Sequence, residues 1–319
     1  MQRQMTRALV ESALLAAIGV VLVLIGYYAP ILGTIAMFLW PLPSAIAVLR
    51  HGPRWGLLSS IVTGLALLLF MDWFTALGLW VLFALTGITF GYAIRKGYSS
   101  LTVILLTSVA FLVGVLVSFL SLYVMAGFTP SDLLDNYINA IKSASEMSEK
   151  VLGPGAIENQ FGDFEDIKQQ LLRIMPGAVL VSALFQSYLN FEVGRRVLVK
   201  VGYDLEPLPP FSQWIFPEYV GFGAIMSFVA LVLGQQYAVD VLSRIGENAF
   251  FMFSLILFIQ GASLISYYLL RARFPRLLVG ALIVYLYFAQ GINTIVMLVG
   301  LTDVLFDLRH LRYGWLDEI

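Results

Sequence analysis

The chain contains no cysteine, which excludes disulfides, thiolate nucleophiles and cysteine-ligated metals together. Histidine is nearly as scarce. His51 and His310 lie far apart beside arginines, with no second ligand at i+3 or i+4, so neither a metal site nor a cofactor is expected. Charged residues make up 12% of the 319, about half the share of a soluble globular chain. They form no basic stripe, which argues against a nucleic-acid partner. GxxxxGKS/T, HExxH and GxSxG are all missing. Without these signatures of P-loop ATPases, zinc hydrolases and serine hydrolases, no enzyme is expected.

What the chain has in excess is apolar residues, 60% of the total, against about 45–50% in a soluble domain. They fall in runs of about 18 to 25, the length that crosses a hydrocarbon layer of ~30 Å at 1.5 Å per residue. Hydropathy places spans near residues 8–29, 31–49, 55–71, 74–94, 101–126, 174–194, 215–235 and 248–270, with a further apolar stretch at 277–302. The fold expected is therefore all-α, a polytopic transmembrane bundle of about 8 to 10 helices in the lipid bilayer of a bacterial cytoplasmic (plasma) membrane. Basic residues precede the first run, but it is too long for a signal-peptide core and no small-residue cleavage site ends it, so it reads as a retained span.

Arg3 and Arg7, Arg50 and Arg54, Arg95 and Lys96, Arg195, Arg196 and Lys200, and Arg271, Arg273 and Arg276 fall between alternate spans. By the positive-inside rule those segments and the N-terminus are cytoplasmic. The longest polar segment, 127–173, carries eight acidic against four basic residues and belongs outside. In it Thr129 reads as an N-cap with Pro130 at the first helical position, and Leu134, Tyr137, Ile138 and Ile141 recur at helical spacing. A GPG break at 153–155 precedes a second helix from near Asp163, which Pro176 is placed to kink. This segment is either a solvated linker or a cap over an outward-facing cavity. Three parts follow: a five-span bundle at 1–126, the outer helical segment at 127–173, and a C-terminal membrane bundle with a short tail at 174–319.

Polar residues within apolar runs are costly in hydrocarbon and turn toward a bundle interior or a cavity. Gln186 and Asn190 share a helix face, and Gln260 and Asn293 are isolated amides; each either bridges helices or touches a ligand. Glu11 and Asp72 lie near span ends. Pro41 and Pro43 must break the second span and free carbonyls inside the membrane, a frequent ingredient of solute sites. Small residues four apart, Ala13 and Ala17, Gly52 and Gly56, Gly87 and Gly91, allow close helix approach. After Arg276 the chain either crosses once or returns as two short helices around Gln290, Gly291 and Asn293. In GLTDVLFDLR, a continuous helix would put Asp303 and Asp307 on one face, with the 195–200 or 271–276 arginines as partners if the tail is cytoplasmic.

The segments WPLPSAIAVLRHGPRWG, GITFGYAIRKG, SYLNFEVGRRVL, NAFFMFSLILFIQGASLISYYLLR and GLTDVLFDLR occur in that order and together resemble the YybS-like family of bacterial membrane proteins. Gly300, Asp303, Asp307 and Arg309 form the most specific of these motifs. The first five spans also look like the S-components of energy-coupling-factor transporters. That second resemblance implies small-solute binding or transport and docking onto an energy-coupling or other membrane subunit through Ala13 and Ala17. No vitamin-binding motif accompanies it. The rival expectation is a membrane scaffold in which amides and small residues only pack helices.

The charge pattern generates a direct test of topology. Because the chain has no native cysteine, Ser145→Cys should react with an impermeant maleimide in intact cells while Lys96→Cys stays protected. The opposite labelling pattern would overturn the orientation.

Overall fold

The computed structural model describes residues 2–152, 164–289 and 291–311. Gln290, the GPG break and Asp163 lie outside the described residues. The described chain is helical, with α1 (Gln2–Tyr28), α2 (Pro30–Leu39), α3 (Leu42–His51), α4 (Pro53–Leu67), α5 (Trp73–Arg95), α6 (Ser100–Ala126), α7 (Pro130–Leu152), α8 (Phe164–Lys200), α9 (Tyr219–Gln236), α10 (Asp240–Arg271), α11 (Arg276–Phe288) and α12 (Ile292–Phe306), plus a 3-10 turn at Phe211–Gln213. Among the described residues seven helical stretches are long and apolar enough to cross a membrane, or up to eight if the bent pair α11 and α12 counts as one span. The all-α membrane bundle expected from hydropathy is what the chain forms.

Several expected spans take a different shape, and local chemistry says why. The run at 31–49 is two helices, because Pro41 and Pro43 cannot donate to the ladder and α2 stops at Leu39. The run at 55–71 becomes the 15-residue α4, about 22 Å long, and ends in hydrogen-bonded turns over 66–71. The outer helix expected from near Asp163 and the sixth span at 174–194 are one 37-residue helix running through Pro176. The final stretch is not a straight crossing, since α11 and α12 are bent by 110° at the break between them.

The chain forms two compact units that interleave in sequence, residues 1–157 with 179–208, and residues 158–178 with 209–319. In the first, α5 lies along α6 and α3, and α4 is held between α1, α3 and α5. Ser59 donates to the Ser12 carbonyl at 3.1 Å and Thr63 to the Ala16 carbonyl at 3.1 Å, fastening α4 to α1. The buried face of α1 thus carries Ser12, Ala16 and Val23, whereas Ala13 and Ala17 are exposed. The interior is filled by two apolar clusters, one around Phe90 and Phe191, the other around Val23, Trp40 and Phe83. In the second unit α10 is the central helix, flanked by α9 and α12. Val220, Leu257 and Val304 form one of its clusters, Phe258 and Val296 another.

Caps close the polar ends. Asp72 accepts from the Thr75 N–H at 3.0 Å at the start of α5, and hydrogen bonds from Thr75, side chain first and backbone second, hold its carboxyl below the usual range. This lowered value means that the cap contributes above the ordinary carboxylate range and is lost as pH falls. Arg95 donates to the Val48 carbonyl at 2.8 Å, satisfying the end of α3. Glu11 meets Arg7 at 2.8 Å, His51 at 2.9 Å and Arg50 at 3.2 Å, so it links α1 to the end of α3.

Glycines set the closest approaches. A Cβ on Gly87 would lie 2.4 Å from the Pro41 carbonyl, on Gly91 2.5 Å from the Ala45 carbonyl, and on Gly300 1.9 Å from the Leu257 carbonyl. The pair Gly87 and Gly91 therefore lets α5 press against the broken helix, and Gly300 lets α12 press against α10. Gly300→Ala should lower stability by about 1–3 kcal/mol through overpacking. Gly280→Ala, where an added Cβ meets nothing within 4 Å, should be neutral or stabilising, since alanine is the better helix former by ~1 kcal/mol. Thermal unfolding in detergent would read both, and equal effects would contradict the close packing.

Candidate functional site

The proline break is where the first polar site is built. Pro41 has no N–H, so the Met37 carbonyl one turn earlier has lost its ladder partner. Gln186 on α8 supplies one, donating through Nε2 to Met37 O at 3.4 Å and to Asn190 Oδ1 at 3.2 Å. The i, i+4 spacing that places both amides on one face also lets them bond each other. Pro41's own carbonyl accepts from the Ser44 hydroxyl at 3.0 Å and from the Ala45 N–H at 3.1 Å. What is left over is Asn190 Nδ2 and the Ser187 hydroxyl, both buried without a hydrogen-bond partner. Asn190 is 3% exposed, so its free donor is withdrawn from the surroundings, and burying such a group costs free energy until an acceptor meets it.

The second site lies in the other unit and gathers the C-terminal motif. Arg309 Nη2 meets Asp303 Oδ2 at 2.8 Å, with both side chains 0% exposed. Arg309 also donates to the carbonyls of Ser212 and Trp214, each at 2.7 Å, and to the Ser263 hydroxyl at 2.8 Å. Gln260 donates to Asp303 Oδ2 at 2.5 Å and accepts from the Phe216 N–H at 2.9 Å. Ser263 in turn donates to Phe211 O at 2.7 Å. A guanidinium carries five donors in a rigid fork, and four are used here on the 212–214 backbone, Ser263 and Asp303. Asp303 Oδ1 and Arg309 Nε have no partner.

This arrangement differs from the one read off the spacing. Helix α12 ends at Phe306, and Asp307 takes a left-handed conformation at φ 46°, so Asp303 and Asp307 do not continue along one helical face. Asp303 is answered by Arg309, six residues on, and Asp307 accepts from the Leu311 N–H at 3.1 Å. Asn293 joins neither site. It is exposed at the start of α12, where its Oδ1 accepts from the Thr294 N–H at 2.7 Å.

Two participants escape a reading of the sequence. The 211–216 backbone, on which Arg309, Ser263 and Gln260 converge, carries no motif that marks it as an acceptor. Asn248 on α10 bridges α8 near Pro176, its Oδ1 accepting from the Gly177 N–H at 2.7 Å and its Nδ2 donating to the Arg173 carbonyl at 2.8 Å. The available signal was a proline inside one apolar run and an unassigned amide in another. No group of three or more His, Cys, Asp or Glu able to hold a metal occurs among the described residues.

The buried pair yields a quantitative expectation. Asp303→Asn or Arg309→Gln alone leaves a charge buried without its counterion and should cost about 3–5 kcal/mol. The double variant Asp303→Leu with Arg309→Met strands no charge, so its cost should fall below the sum of Asp303→Leu and Arg309→Met alone, measured by thermal unfolding in detergent. Strict additivity would contradict the pairing.

Comparison with known proteins agrees with the membrane class. The chain is 23% identical over 314 residues to Uncharacterized protein YybS of Bacillus subtilis (strain 168), an alignment that covers 96% of this chain and 98% of that one. No solved structure matches. The model of the family described as Predicted membrane protein (DUF2232) matches residues 17–304, from the first helix through the Pro41 break to Asp303, and the chain belongs to that family.

Proposed function

We propose that this membrane protein resides in the bacterial plasma membrane with its N-terminus cytoplasmic and binds or carries a small solute at the Pro41 break. No catalytic step is assigned to it. The observation that supports the reading is the buried Asn190 Nδ2, a donor with no acceptor, beside a helix interrupted inside the apolar layer. Broken helices at membrane depth are tolerated where protein or a cavity receives them, and their free polar groups are a common means of holding solutes. Gln186 covers the Met37 carbonyl and so positions Asn190, leaving the second amide to face a ligand. The complementary ligand is a small molecule with a carbonyl or carboxylate oxygen. Gln260 is committed to Asp303 and Phe216, which favours structure over binding at that position.

A scaffold reading draws on a different observation. Ala13 and Ala17 are exposed on α1 while Ser12 and Ala16 pack inward, leaving a small-residue face open to another membrane subunit. Energy-coupling-type partners are one such class, by the S-component resemblance of the first five spans.

The two readings separate on Asn190→Leu. Removing an unsatisfied donor leaves intrinsic stability unchanged or raises it, and loss of the weak Gln186 contact costs only about 0.6 kcal/mol on average in membranes. Solute binding requires that this variant lose the small molecule retained by the parent in native mass spectrometry. Equal retention would remove Asn190 from the site. Loss of a retained protein on Ala13→Leu with Ala17→Leu, with no small molecule in either sample, would establish the scaffold.

A further inference from the structure

Helix α7 follows a membrane span after a short and rigid connection. Helix α6 stays apolar on its outside to its last turn, where Tyr123, Val124 and Met125 are exposed, and it ends at Gly127 in a left-handed conformation at φ 64°. Three residues later α7 begins with a reciprocal cap. The Thr129 N–H and hydroxyl both donate to Asp132 Oδ2 at 2.6 Å, and the Asp132 N–H donates back to the Thr129 hydroxyl at 3.3 Å. Such a capping box satisfies otherwise unpaired donors at the start of a helix. Only residues 128 and 129 separate Gly127 from α7, so α7 starts where α6 leaves the apolar layer.

The two sides of α7 differ. Asp135, Asn136, Asn139, Lys142 and Ser143 share one side by their spacing, and Leu134, Tyr137, Ile138 and Ile141 share the other. Ile138 is buried. Tyr137 is 69% exposed and Ile141 51% exposed, one turn apart on the apolar side. A tyrosine beside an aliphatic residue, at the level where a span ends, fits the boundary between headgroups and acyl chains, since the ring enters the apolar layer while the hydroxyl stays wet.

We propose that α7 lies in the bilayer interface, with Tyr137 and Ile141 inserted among the lipids and the Asn139 and Ser143 side facing water. The lipid surface it fits is zwitterionic or neutral, because α7 carries only Lys142 and Lys150, eight positions apart, against Asp132, Asp135, Glu146 and Glu149, and anionic-lipid recognition rests on clustered Lys and Arg. Amphipathic helices of this kind seat their apolar face roughly 5–10 Å into the boundary.

The cysteine-free chain makes the test direct. Single cysteines at Tyr137, Ile141, Asn139 and Ser143 in the full chain, labelled with a polarity-sensitive fluorophore, are reconstituted into phosphatidylcholine nanodiscs. Two quenchers are compared, a nitroxide on the lipid acyl chain and a soluble ion. Labels at 137 and 141 should be quenched more strongly by the lipid nitroxide, and labels at 139 and 143 by the soluble ion. Replacing part of the phosphatidylcholine with phosphatidylglycerol should change neither pattern. Equal quenching at all four positions overturns the proposal, and so does shielding of 137 and 141 from both quenchers, which would mean that protein covers that face. Dependence on phosphatidylglycerol overturns the assignment of lipid class.

Discussion

In hydrocarbon there is no water to accept from a backbone N–H or to donate to a carbonyl, so each interruption of a helix must be answered by protein. The polar residues of this chain follow from that constraint. Pro41 frees the Met37 carbonyl and Gln186 donates to it. Near Pro176, Asn248 contacts both the Gly177 N–H and the Arg173 carbonyl. The irregular backbone at 211–216 is met by Gln260, Ser263 and Arg309. A side-chain amide suits this work because it offers a donor and an acceptor from one planar group, as the peptide itself does.

Answering a broken backbone requires the answering helix to come close, and glycine makes that approach feasible. Gly87 and Gly91 stand opposite the carbonyls of Pro41 and Ala45, and Gly300 opposite that of Leu257. The break and the small residues are two parts of one arrangement. Pro41 and the first turn of α3 are pressed by α5, and the Met37 carbonyl one turn earlier is met by an amide from α8. Beside this arrangement Asn190 Nδ2 and the Ser187 hydroxyl stay buried without a hydrogen-bond partner.

Charge obeys the same economy. Arg309 and Asp303 are fully buried, yet the guanidinium fixes two carbonyls and a hydroxyl besides its counterion. Desolvating two charges is expensive and their mutual attraction alone offsets it poorly. The additional hydrogen bonds make the pair tenable and tie the residues after α12 to the turn before α9. The charges at the other described helix ends, such as Glu11 with Arg7, Arg50 and His51, keep partial access to solvent.

The sequence by itself determined the membrane class, the approximate number of spans, the interruption at Pro41 and Pro43, the Thr129 cap and three of the four interior amides expected, Gln186, Asn190 and Gln260, while Asn293 is exposed. Each of these follows from local physics: run length against bilayer thickness, the missing N–H of proline, and the 3.6-residue period. Only the tertiary structure decided which amide meets which backbone group, that Ser12 and Ala16 pack inward while Ala13 and Ala17 do not, and that Asp303 pairs with Arg309. It also decided that α8 continues through Pro176 and that the last apolar stretch bends. The reason is that a partner in hydrogen bonding is chosen by distance and angle in space. Residues 37 and 186, 177 and 248, and 263 and 309 are brought together by helix packing that no local period encodes.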